Sequence, residues 1–519
     1  MKLFFTGFII VLAGKISFSQ PTIQWQKSLG GSSNEIAFYI HETSDSGFVI
    51  TGVTDSQDGD VTGHHFLWDC WLVKLNSVGA IQWQKCLGGS GEDEAFCIRQ
   101  TSDGGFIVAG LSESVDGDVT GNHGGWDYWI MKTDASGNLQ WQKSLGGSMV
   151  DGTSFIEEMP GGGYIICGYS QSVDGDVTGN HGANDFWIVR IDSAGNLVWQ
   201  KSLGGSVSDG ATAIHRTSDG GMIISGSSSS NDGDVSGNHG NTDFWLVKTD
   251  SAATILWQKT FGGTMNDIAN SMQITADGGF IIAGRTNSSD GDVNSNHGSD
   301  DFWLVKTDSA GNMQWQKSFG GSLFESGNSV AQTSDGGYII TGGTASTDGD
   351  VTGNHGSGDF LVIKTDSAGT IQWQKCLGGT LNDYAASVTE TNDGGFAIAG
   401  TSYSDDGDVT GHHPPASASD FWVVKLAPYS SVEENIFSSG ITVFPNPATT
   451  EIKVQSSKFK VQSVEVLDVV GMKHLTPNRS PSGEGSALIN ISGLNSGMYF
   501  LRIKTTEGFF LTAKFVKEN

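Results

Sequence analysis

The sequence predicts an all-β fold assembled from seven similar units. Two motifs, Trp-Gln-Lys and Asp-Gly-Asp, recur every 58 residues along the chain. Between them lie short runs rich in Val, Ile, Phe, Tyr and Trp, and no segment has the apolar periodicity of a helix. Repetition of this regularity is typical of structural units that stack or surround a common axis. The recurring tryptophans are Trp25, Trp83, Trp141, Trp199, Trp257, Trp315 and Trp373.

Each unit contains four strand-like runs, as the second unit illustrates. Its runs cover residues 94–101, 106–112, 127–133 and 139–145. The first two are joined by Ser102-Asp103-Gly104-Gly105, whose glycines permit the positive φ of a tight hairpin. Because four short strands per unit match the blades of a β-propeller, we expect a seven-bladed propeller.

The series of repeats does not begin with a first strand or end with a fourth strand. Residues 23–27 have the pattern of a fourth strand, whereas residues 420–425 have the pattern of a third strand. One strand is therefore left over at the start, and the last unit lacks one. We expect residues 23–29 to complete the unit formed by residues 384–426, because this pairing removes two free edges and closes the ring. An open solenoid would not need such complementary ends.

The repeat also resembles a known family. The segment Leu87-Gly88-Gly89-Ser90-Gly91-Glu92-Asp93-Glu94-Ala95 is followed by Asp103-Gly104-Gly105-Phe106-Ile107-Val108-Ala109-Gly110. This pattern is similar to the bacterial beta-propeller repeat family, and the likeness recurs in all seven units over about residues 21–427. The resemblance implies a fold and no particular activity.

The N-terminus has the pattern of a secretory signal peptide. Lys2 supplies the positive end, residues 3–14 are apolar, and Ser17-Phe18-Ser19 offers small residues for cleavage. We assign residues 1–19 to the signal and expect the mature propeller domain to cover residues 20–427. The alternative, a membrane anchor, is disfavoured because the apolar stretch is short for a membrane span. No later segment is long and apolar enough to cross a membrane.

A different β-rich domain follows the repeats. Residues 428–440 form a Ser-rich linker, and the short strand-like runs in residues 441–519 suggest a small β-sandwich. The domain resembles the type A C-terminal sorting domain of the type IX secretion system. That resemblance implies the type IX secretion machinery as a partner and a final location outside a Gram-negative cell, released or surface-attached. The matching segments are Phe444-Pro445-Asn446-Pro447, Val469-Val470-Gly471, Gly497-Met498-Tyr499-Phe500-Leu501 and Lys514-Phe515-Val516-Lys517.

The net charge and the cysteine content limit the kinds of molecule that the protein is expected to bind and the bonds that stabilise it. The net charge of −29 argues against nucleic acid, whose phosphates need Lys and Arg, and against anionic lipid. It fits a soluble surface or bound divalent cations. The five cysteines are odd in number and irregularly spaced, so they do not indicate a disulfide framework.

A polar loop between the second and third strand-like runs has the spacing of a calcium loop. In the second unit, carboxylates stand at loop positions 1, 3 and 12 (Asp116, Asp118 and Asp127), with the Thr120 hydroxyl at position 5 and Gly121 at position 6. The spacing resembles the helix-loop-helix calcium motif with strands in place of helices. Thr at position 5 and Asp at position 12 depart from that motif, and both departures should weaken binding.

The same pattern recurs along the chain, and three carboxylates in one short loop repel each other unless a cation is present. The alternative interpretation is that Asp-Gly-Asp only makes turns, with its side chains bonded to nearby amides. Asn294 and Ser295 interrupt the fifth loop, and an insertion moves the last acid of the seventh loop to Asp420. The predicted calcium ligands are Asp58, Asp60, Thr62, Asp69, Asp116, Asp118, Thr120, Asp127, Asp174, Asp176, Thr178, Asp185, Asp232, Asp234, Ser236, Asp243, Asp290, Asp292, Asp301, Asp348, Asp350, Thr352, Asp359, Asp406 and Asp408.

Two further sets of polar residues accompany these loops. A histidine stands at loop position 8 in every unit, and since each unit has one, we expect it to bond its own loop and not zinc. An acid follows each fourth strand-like run, and we expect it on the same face as the Asp-Gly-Asp loops. These acids are Glu35, Asp93, Asp151, Asp209, Asp267, Glu325 and Asp383.

The sequence contains no convincing catalytic centre, so we do not expect an enzyme. A reaction breaks symmetry, and the polar residues that break the repeat form no recognisable nucleophile–base set. The leading hypothesis is an exported binding or adhesion protein with a glycan or extracellular protein as ligand. The alternatives are a secreted enzyme acting on a glycan or other polymer at the propeller mouth, and a passive structural spacer. The symmetry-breaking residues are Glu157, Glu158, His215, Arg216 and Arg285.

Overall fold

The computed structural model describes two compact units of the chain, residues 20–429 and a C-terminal unit within residues 430–519. The signal peptide predicted at residues 1–19 and residues 429–440 of the linker lie outside the described residues. Within the described part, no helix is long and apolar enough to cross a membrane. The described residues are 20–413, 415, 417–428, 441–456, 460–467, 473–475, 486–506 and 510–518.

The first unit consists of antiparallel strands of seven or eight residues, joined by turns and loops. Each strand is bounded by the turn residues that the repeat supplies. In chain order the strands are β1 (Ile23–Leu29), β2 (Glu35–Glu42), β3 (Phe48–Thr54), β4 (Asp69–Leu75), β5 (Ile81–Leu87), β6 (Asp93–Gln100), β7 (Phe106–Ser112), β8 (Asp127–Thr133), β9 (Leu139–Leu145), β10 (Asp151–Glu158), β11 (Tyr164–Ser170), β12 (Asp185–Ile191), β13 (Leu197–Leu203), β14 (Asp209–Arg216), β15 (Met222–Ser228), β16 (Asp243–Thr249), β17 (Ile255–Phe261), β18 (Asp267–Ile274), β19 (Phe280–Thr286), β20 (Asp301–Thr307), β21 (Met313–Phe319), β22 (Glu325–Gln332), β23 (Tyr338–Thr344), β24 (Asp359–Thr365), β25 (Ile371–Leu377), β26 (Asp383–Glu390), β27 (Phe396–Ser402) and β28 (Asp420–Leu426).

Within the described residues of this unit, the strands form seven four-stranded antiparallel sheets. Six sheets contain four consecutive strands, from β2-β3-β4-β5 to β22-β23-β24-β25. The seventh has the order β26-β27-β28-β1, so the first strand of the chain is the fourth strand of the last sheet. In that pairing Leu29 lies opposite Phe421, and Ile23 lies opposite Leu426. The all-β prediction is confirmed, and the N-terminal strand pairs where the sequence analysis placed it.

Burial follows the position of a strand within its sheet. The second and third strands, such as β7 and β8, are buried along their whole length because they have neighbours on both sides. The fourth strand is an outer edge, and the first residues of β9 are half-buried or exposed. Gly137 turns the hairpin between β8 and β9 with a φ of 76°. A Cβ at this position would lie 2.7 Å from the Trp83 ring of the preceding sheet, so glycine also permits close packing there.

Aromatic pairs of one type join neighbouring sheets at five of the seven junctions. Tyr128 of one sheet packs against Trp187 of the following sheet with ring centroids 4.5 Å apart. The last and first sheets make the same contact, since Phe421 and Trp71 lie 4.6 Å apart. The remaining pairs of this type are Phe186 with Trp245, Phe244 with Trp303, and Phe360 with Trp422.

The C-terminal unit has its own core. Its described strands form a three-stranded sheet, β29-β30-β33, and a four-stranded sheet, β32-β31-β34-β35. Ile452, Val464, Leu501 and Phe515 are among the buried side chains of this core. The strands are β29 (Ile441–Phe444), β30 (Glu451–Ser456), β31 (Val461–Leu467), β32 (Lys473–Leu475), β33 (Ser486–Asn490), β34 (Gly497–Thr505) and β35 (Phe510–Lys517).

Candidate ligand cavity and acidic loops

The first strands of all seven sheets surround one cavity of about 540 Å³. The strands concerned are β2, β6, β10, β14, β18, β22 and β26. Side chains alternate between the two faces of a strand, so equivalent repeat positions line the cavity in each sector. If the seven first strands were identical in sequence, the cavity would have seven equivalent walls.

The first strands are the part of the repeat where the seven units differ in chemistry. At the fifth position of these strands, aromatic residues give way to small hydroxyl residues. At the seventh position, titratable residues give way to neutral ones. The fifth-position residues are Tyr39, Cys97, Phe155, Ala213, Ser271, Ser329 and Ser387, and the seventh-position residues are His41, Arg99, Glu157, His215, Gln273, Ala331 and Thr389. All of these residues except Cys97 and Glu157 line the cavity, which therefore has an aromatic, titratable side and a neutral, polar side.

Arg99 is the fixed cation of the first side. Its Nη2 donates to the Tyr39 hydroxyl at 3.0 Å. The guanidinium carbon lies 4.6 Å from the centroid of the Phe155 ring and 5.8 Å from that of Tyr39, within the range of cation–π attraction. Among the described residues, no carboxylate lies within salt-bridge distance of Arg99, so its positive charge has no direct counter-ion.

Glu157 and His215 form a pair beside Arg99. Glu157 Oε2 lies 2.7 Å from His215 Nδ1, and His215 Nε2 donates to the Met272 carbonyl at 3.1 Å. Burial raises the pKa of Glu157, but the hydrogen bond to His215 and the charges of His215 and Arg99 outweigh burial, so the pKa lies below its ordinary value. Glu157 is therefore ionised at neutral pH. Both residues break the repeat in the sequence, but nothing there indicated that they meet.

The cavity lining is basic although the chain is acidic. Among the described residues that line it are Arg99, His41 and His215, and there is no Asp or Glu. Burial, with a contribution from the charge of Arg99, lowers the pKa of His41 to about 4, so this side chain is neutral at pH 7. Arg99 then carries a positive charge on the wall with no salt-bridge partner among the described residues, and the charge of the nearby Glu157 carboxylate interacts with it.

The structure places the predicted calcium ligands of one loop at two different sheet junctions. Asp116 Oδ1 accepts a hydrogen bond from the Ser90 amide at 2.7 Å. Asp127 Oδ2 instead accepts from the amide and Nδ1 of His123, at 2.8 Å and 2.7 Å. A Cβ built on Gly146, after the following fourth strand, would lie 2.6 Å from Asp127 Oδ1.

Most of the other predicted ligands are engaged in the same way across the units. The Asp118 carboxylate lies 3.3 Å from the Gly88 amide, and Thr120 bonds to Gln142. Within the described ranges, no group of three or more His, Cys, Asp or Glu side chains is placed to hold one metal ion. Calcium binding by these loops stays a prediction. The carboxylates equivalent to Asp116, each bonded to the amide that follows a Gly-Gly pair, are Asp58, Asp174, Asp232, Asp290, Asp348 and Asp406.

Every junction between sheets also holds a pair of buried carboxylates. Asp127 and Asp151 are both fully buried, and Asp127 Oδ1 has no hydrogen-bond partner among the described residues. A Cβ on Gly146 would lie 2.6 Å from both Asp127 Oδ1 and Asp151 Oδ2, so the two carboxylates face the same small space. Sequence reasoning missed this pairing because the partners belong to different units. The other pairs are Asp420 with Glu35, Asp69 with Asp93, Asp185 with Asp209, Asp243 with Asp267, Asp301 with Glu325, and Asp359 with Asp383.

Burial and mutual repulsion alter the acidity of these pairs. Burial, to which the charge of Asp151 adds, raises the pKa of Asp127 to about 6 in spite of its hydrogen bonds from His123. Burial also raises the pKa of Asp93 to about 6 and that of Glu35 to about 7. Each pair therefore favours a proton or a cation in the shared space.

The loop histidines bond their own loops, and that prediction is confirmed. Each Nδ1 contacts the carboxylate at the start of the third strand. The pairs are His65 with Asp69, His123 with Asp127, His181 with Asp185, His239 with Asp243, His297 with Asp301, His355 with Asp359, and His413 with Asp420.

Comparison with known families identifies the C-terminal domain. Residues 442–518 match the family described as secretion system C-terminal sorting domain. This supports the resemblance to the type IX sorting domain, and it points to export through that system, to the outer surface or the extracellular space.

Comparison with whole proteins is less specific. Over 200 residues the chain is 25% identical to the regulatory protein FlaEY of Caulobacter vibrioides, a match that covers 36% of this chain and 20% of FlaEY. The chain thus spans about a fifth of the length of this curated relative.

Solved structures share only a distant likeness. The extracellular domain of a hybrid two-component system from B. thetaiotaomicron is 10% identical with a TM-score of 0.39, over 96% of this chain and 60% of that one. Sqt1 from Chaetomium thermophilum is 12% identical with a TM-score of 0.38, over 83% of this chain and 97% of that one. Puromycin hydrolase is 11% identical with a TM-score of 0.43, over 85% of this chain and 62% of that one.

Proposed function

We propose that this chain is an exported binding protein that holds its ligand in the central cavity of a closed, seven-bladed β-propeller. Seven four-stranded sheets, the pairing of β1 with β28 and the aromatic contact between the last and first sheets support the closed ring. The observation that carries the function is the loss of repeat symmetry around the cavity. Repetition favours identical residues, whereas recognition of one ligand needs different groups on different walls.

The sorting domain fits this proposal, because a binding protein released or displayed outside the cell meets its ligand there. Adhesion to a glycan or an extracellular protein is the use that we propose. The acidic surface keeps such a protein soluble and away from anionic lipid.

Binding is favoured over catalysis by the contacts of the symmetry-breaking residues. Both ring nitrogens of His215 are engaged, with Glu157 and with the Met272 carbonyl, so neither is free to take a proton from a substrate. Glu158 accepts hydrogen bonds from the amide and hydroxyl of Ser102, at 2.8 Å and 2.7 Å. Arg285 lies 3.3 Å from Asp300. These groups bind each other or the backbone.

We also propose that calcium stabilises the acidic loops. The support is the density of carboxylates: each junction brings together a buried pair and the Asp-Gly-Asp residues of the following loop. Within the part of the chain that the structure describes, no Lys or Arg bonds to the buried pairs, so a divalent cation would relieve their repulsion. Thermal unfolding of the mature chain should therefore shift upward in millimolar calcium relative to EGTA. Asp116→Asn with Asp118→Asn should reduce that shift, and identical melting in both buffers would refute calcium binding.

The cavity proposal is tested by blocking the cavity. Ala331 lines the neutral side, so Ala331→Trp should fill part of the space, whereas Val198→Trp places the same side chain at an exposed site on β13. Mature protein is screened against a panel of glycans and extracellular matrix proteins. We expect a ligand that Ala331→Trp loses and Val198→Trp retains, with both variants melting near the wild type. Equal binding by both variants would place the ligand elsewhere.

A further inference from the structure

We infer that the cavity selects a carboxylate-bearing sugar, with Arg99 as the carboxylate-binding residue. This inference rests on the proposed function and specifies its ligand class. It is carried by three features of the wall: an arginine with no salt-bridge partner among the described residues, aromatic rings beside it, and a facing wall of neutral hydrogen-bonding groups.

The first feature is the charge of the wall. Arg99 lines the cavity, has no carboxylate within salt-bridge distance among the described residues, and donates to the neutral Tyr39 hydroxyl. The nearby Glu157 is committed to His215. In a partly enclosed cavity a cation interacts more strongly with a ligand than at an open surface. A planar guanidinium also matches the two oxygens of a carboxylate.

The second feature is the aromatic surface beside that cation. Phe155 packs under the guanidinium, and Phe96, which lines the cavity, stacks on Phe38 with ring centroids 4.8 Å apart. Such rings offer an apolar face to the C–H groups of a sugar next to the bound carboxylate.

The third feature is the neutral side of the cavity. The Ser271 hydroxyl accepts a hydrogen bond from the Val330 amide at 3.3 Å, and the Ser329 hydroxyl accepts one from the Val388 amide at 3.2 Å. Each hydroxyl keeps its own hydrogen for a ligand, because the backbone uses its oxygen as an acceptor. Asn270, Asn328 and Gln273 add amide groups to this lining. Uncharged donors and acceptors of this kind suit sugar hydroxyls, and about 540 Å³ lies within the usual range of ligand pockets.

The test compares ligands that differ only in charge. The mature protein is titrated calorimetrically with trigalacturonic acid and its methyl ester, and with sialyllactose and its methyl ester. We expect binding of at least one acid and a loss of tenfold or more for its neutral counterpart, the magnitude typical of one charge-assisted contact.

Variants of the protein test whether Arg99 is the side chain that binds the carboxylate of the sugar. Arg99→Gln should weaken binding of the acid at least tenfold without changing affinity for the neutral counterpart, and Arg99→Lys should restore part of it. Arg216→Gln is the matched control, because this arginine is exposed at the end of β14 and does not line the cavity. Melting temperatures and circular dichroism of all variants verify folding.

The outcomes separate the two proposals. If the neutral sugars bind as well as the acids, or if Arg99→Gln binds the acids normally, the inference is wrong. The inference is also wrong if none of the four sugars binds but the wild type binds another ligand that Ala331→Trp no longer binds. In that case the proposed function still stands. Tighter binding of a peptide carboxylate than of any acidic sugar would also overturn the sugar assignment.

Discussion

At the scale of single residues, the junction carboxylates are held by donors from the repeat itself. Asp151 accepts from the Gly147 amide at 2.8 Å and from the Ser172 hydroxyl at 2.9 Å, while Asp127 accepts from His123. Gly146 stands between the two acids, where any side chain would meet both. The first glycine of the Gly-Gly pair is therefore needed in every unit because the neighbouring acids leave no room for a side chain, as well as for the turn.

The raised pKa of Glu35 predicts a stability that declines with rising pH. The folded state holds this proton up to about pH 7, whereas a freely exposed glutamate has an ordinary pKa of 4.5. The stabilising contribution of Glu35 is complete below pH 4.5 and is lost as pH rises through 7. By pH 8 the loss is on the order of 3 kcal/mol. Urea unfolding in EGTA at pH 5 and pH 8 measures this change in the free energy of unfolding.

Glu35→Gln supplies the comparison for that measurement, because glutamine cannot ionise. The variant should lose less stability than the wild type between pH 5 and pH 8. Glu113→Gln removes an exposed carboxylate and should behave as the wild type. A variant with the same pH dependence as the wild type would show that Glu35 does not hold the proton.

Gly146 should not tolerate a methyl group. Gly146→Ala places a Cβ 2.6 Å from two carboxylate oxygens, so we expect a loss of about 1–3 kcal/mol from overpacking. At Gly210 a Cβ meets nothing within 4 Å, and Gly210→Ala should be neutral or slightly stabilising. Chemical denaturation measures the free energy of unfolding of both variants. Equal stabilities would contradict the prediction that the junction at Gly146 has no room for a methyl group.

At the scale of strands and hairpins, one buried cation fixes the hairpin between the first two strands of most sheets. Lys132 on β8 lies 2.9 Å from Asp103 in that hairpin and donates to the Thr133 carbonyl at 3.0 Å. The third unit has Pro160 and glycines in place of this Asp, and there Arg190 donates to the Gly162 carbonyl at 2.7 Å. The longer guanidinium reaches the backbone where no carboxylate is available.

Strand β1 should determine the oligomeric state. Deletion of residues 20–29 leaves β28 as an open edge, and an unpaired edge recruits strands from other molecules. We expect a lower melting temperature and oligomers in light scattering. A synthetic peptide of residues 20–31 added in trans should restore the oligomeric state of the untruncated chain, and a truncated chain with that same oligomeric state and equal stability would contradict this role.

At the scale of the whole molecule, the cavity proposed for ligand binding and the domain that points to export belong to separate compact units. The cavity lies in residues 20–429, and the sorting domain lies in residues 442–518. A basic cavity in a chain of net charge −29 also concentrates attraction for an anionic ligand at one place.

This separation predicts independent losses of function. Deletion of residues 441–519 should leave the protein inside a bacterium that has the type IX system, while Arg99→Gln in the full chain should be exported normally. Fractionation of cells and medium, followed by immunoblotting, measures the outcome. Surface display of the deleted chain at wild-type levels would show that the domain is not needed for export.

The strands, the unit length, the pairing of β1 with β28 and the sorting domain could all be predicted from the amino-acid sequence. The predicted runs 106–112, 127–133 and 139–145 coincide with β7, β8 and β9, and the run 94–101 differs from β6 by one residue. These features depend on turn residues and on alternation along a few neighbouring residues, which are local properties. The long-range pairing of β1 with β28 could be predicted from the internal repeat, because the repeat leaves one extra strand at the start of the chain and one strand missing from the last unit.

The side chains that meet at the candidate sites could not be predicted from the sequence, because they come together through packing between sheets. Asp127 and Asp151 belong to different sheets, and so do Glu157 and His215. Their contact depends on how neighbouring sheets pack around the cavity, which no local pattern encodes. The ligands predicted within one loop are likewise divided between two junctions, since each loop lies between two neighbouring sheets. The spacing of residues along the chain therefore predicted which acidic and symmetry-breaking residues are of interest. Their contact partners depend on packing between sheets.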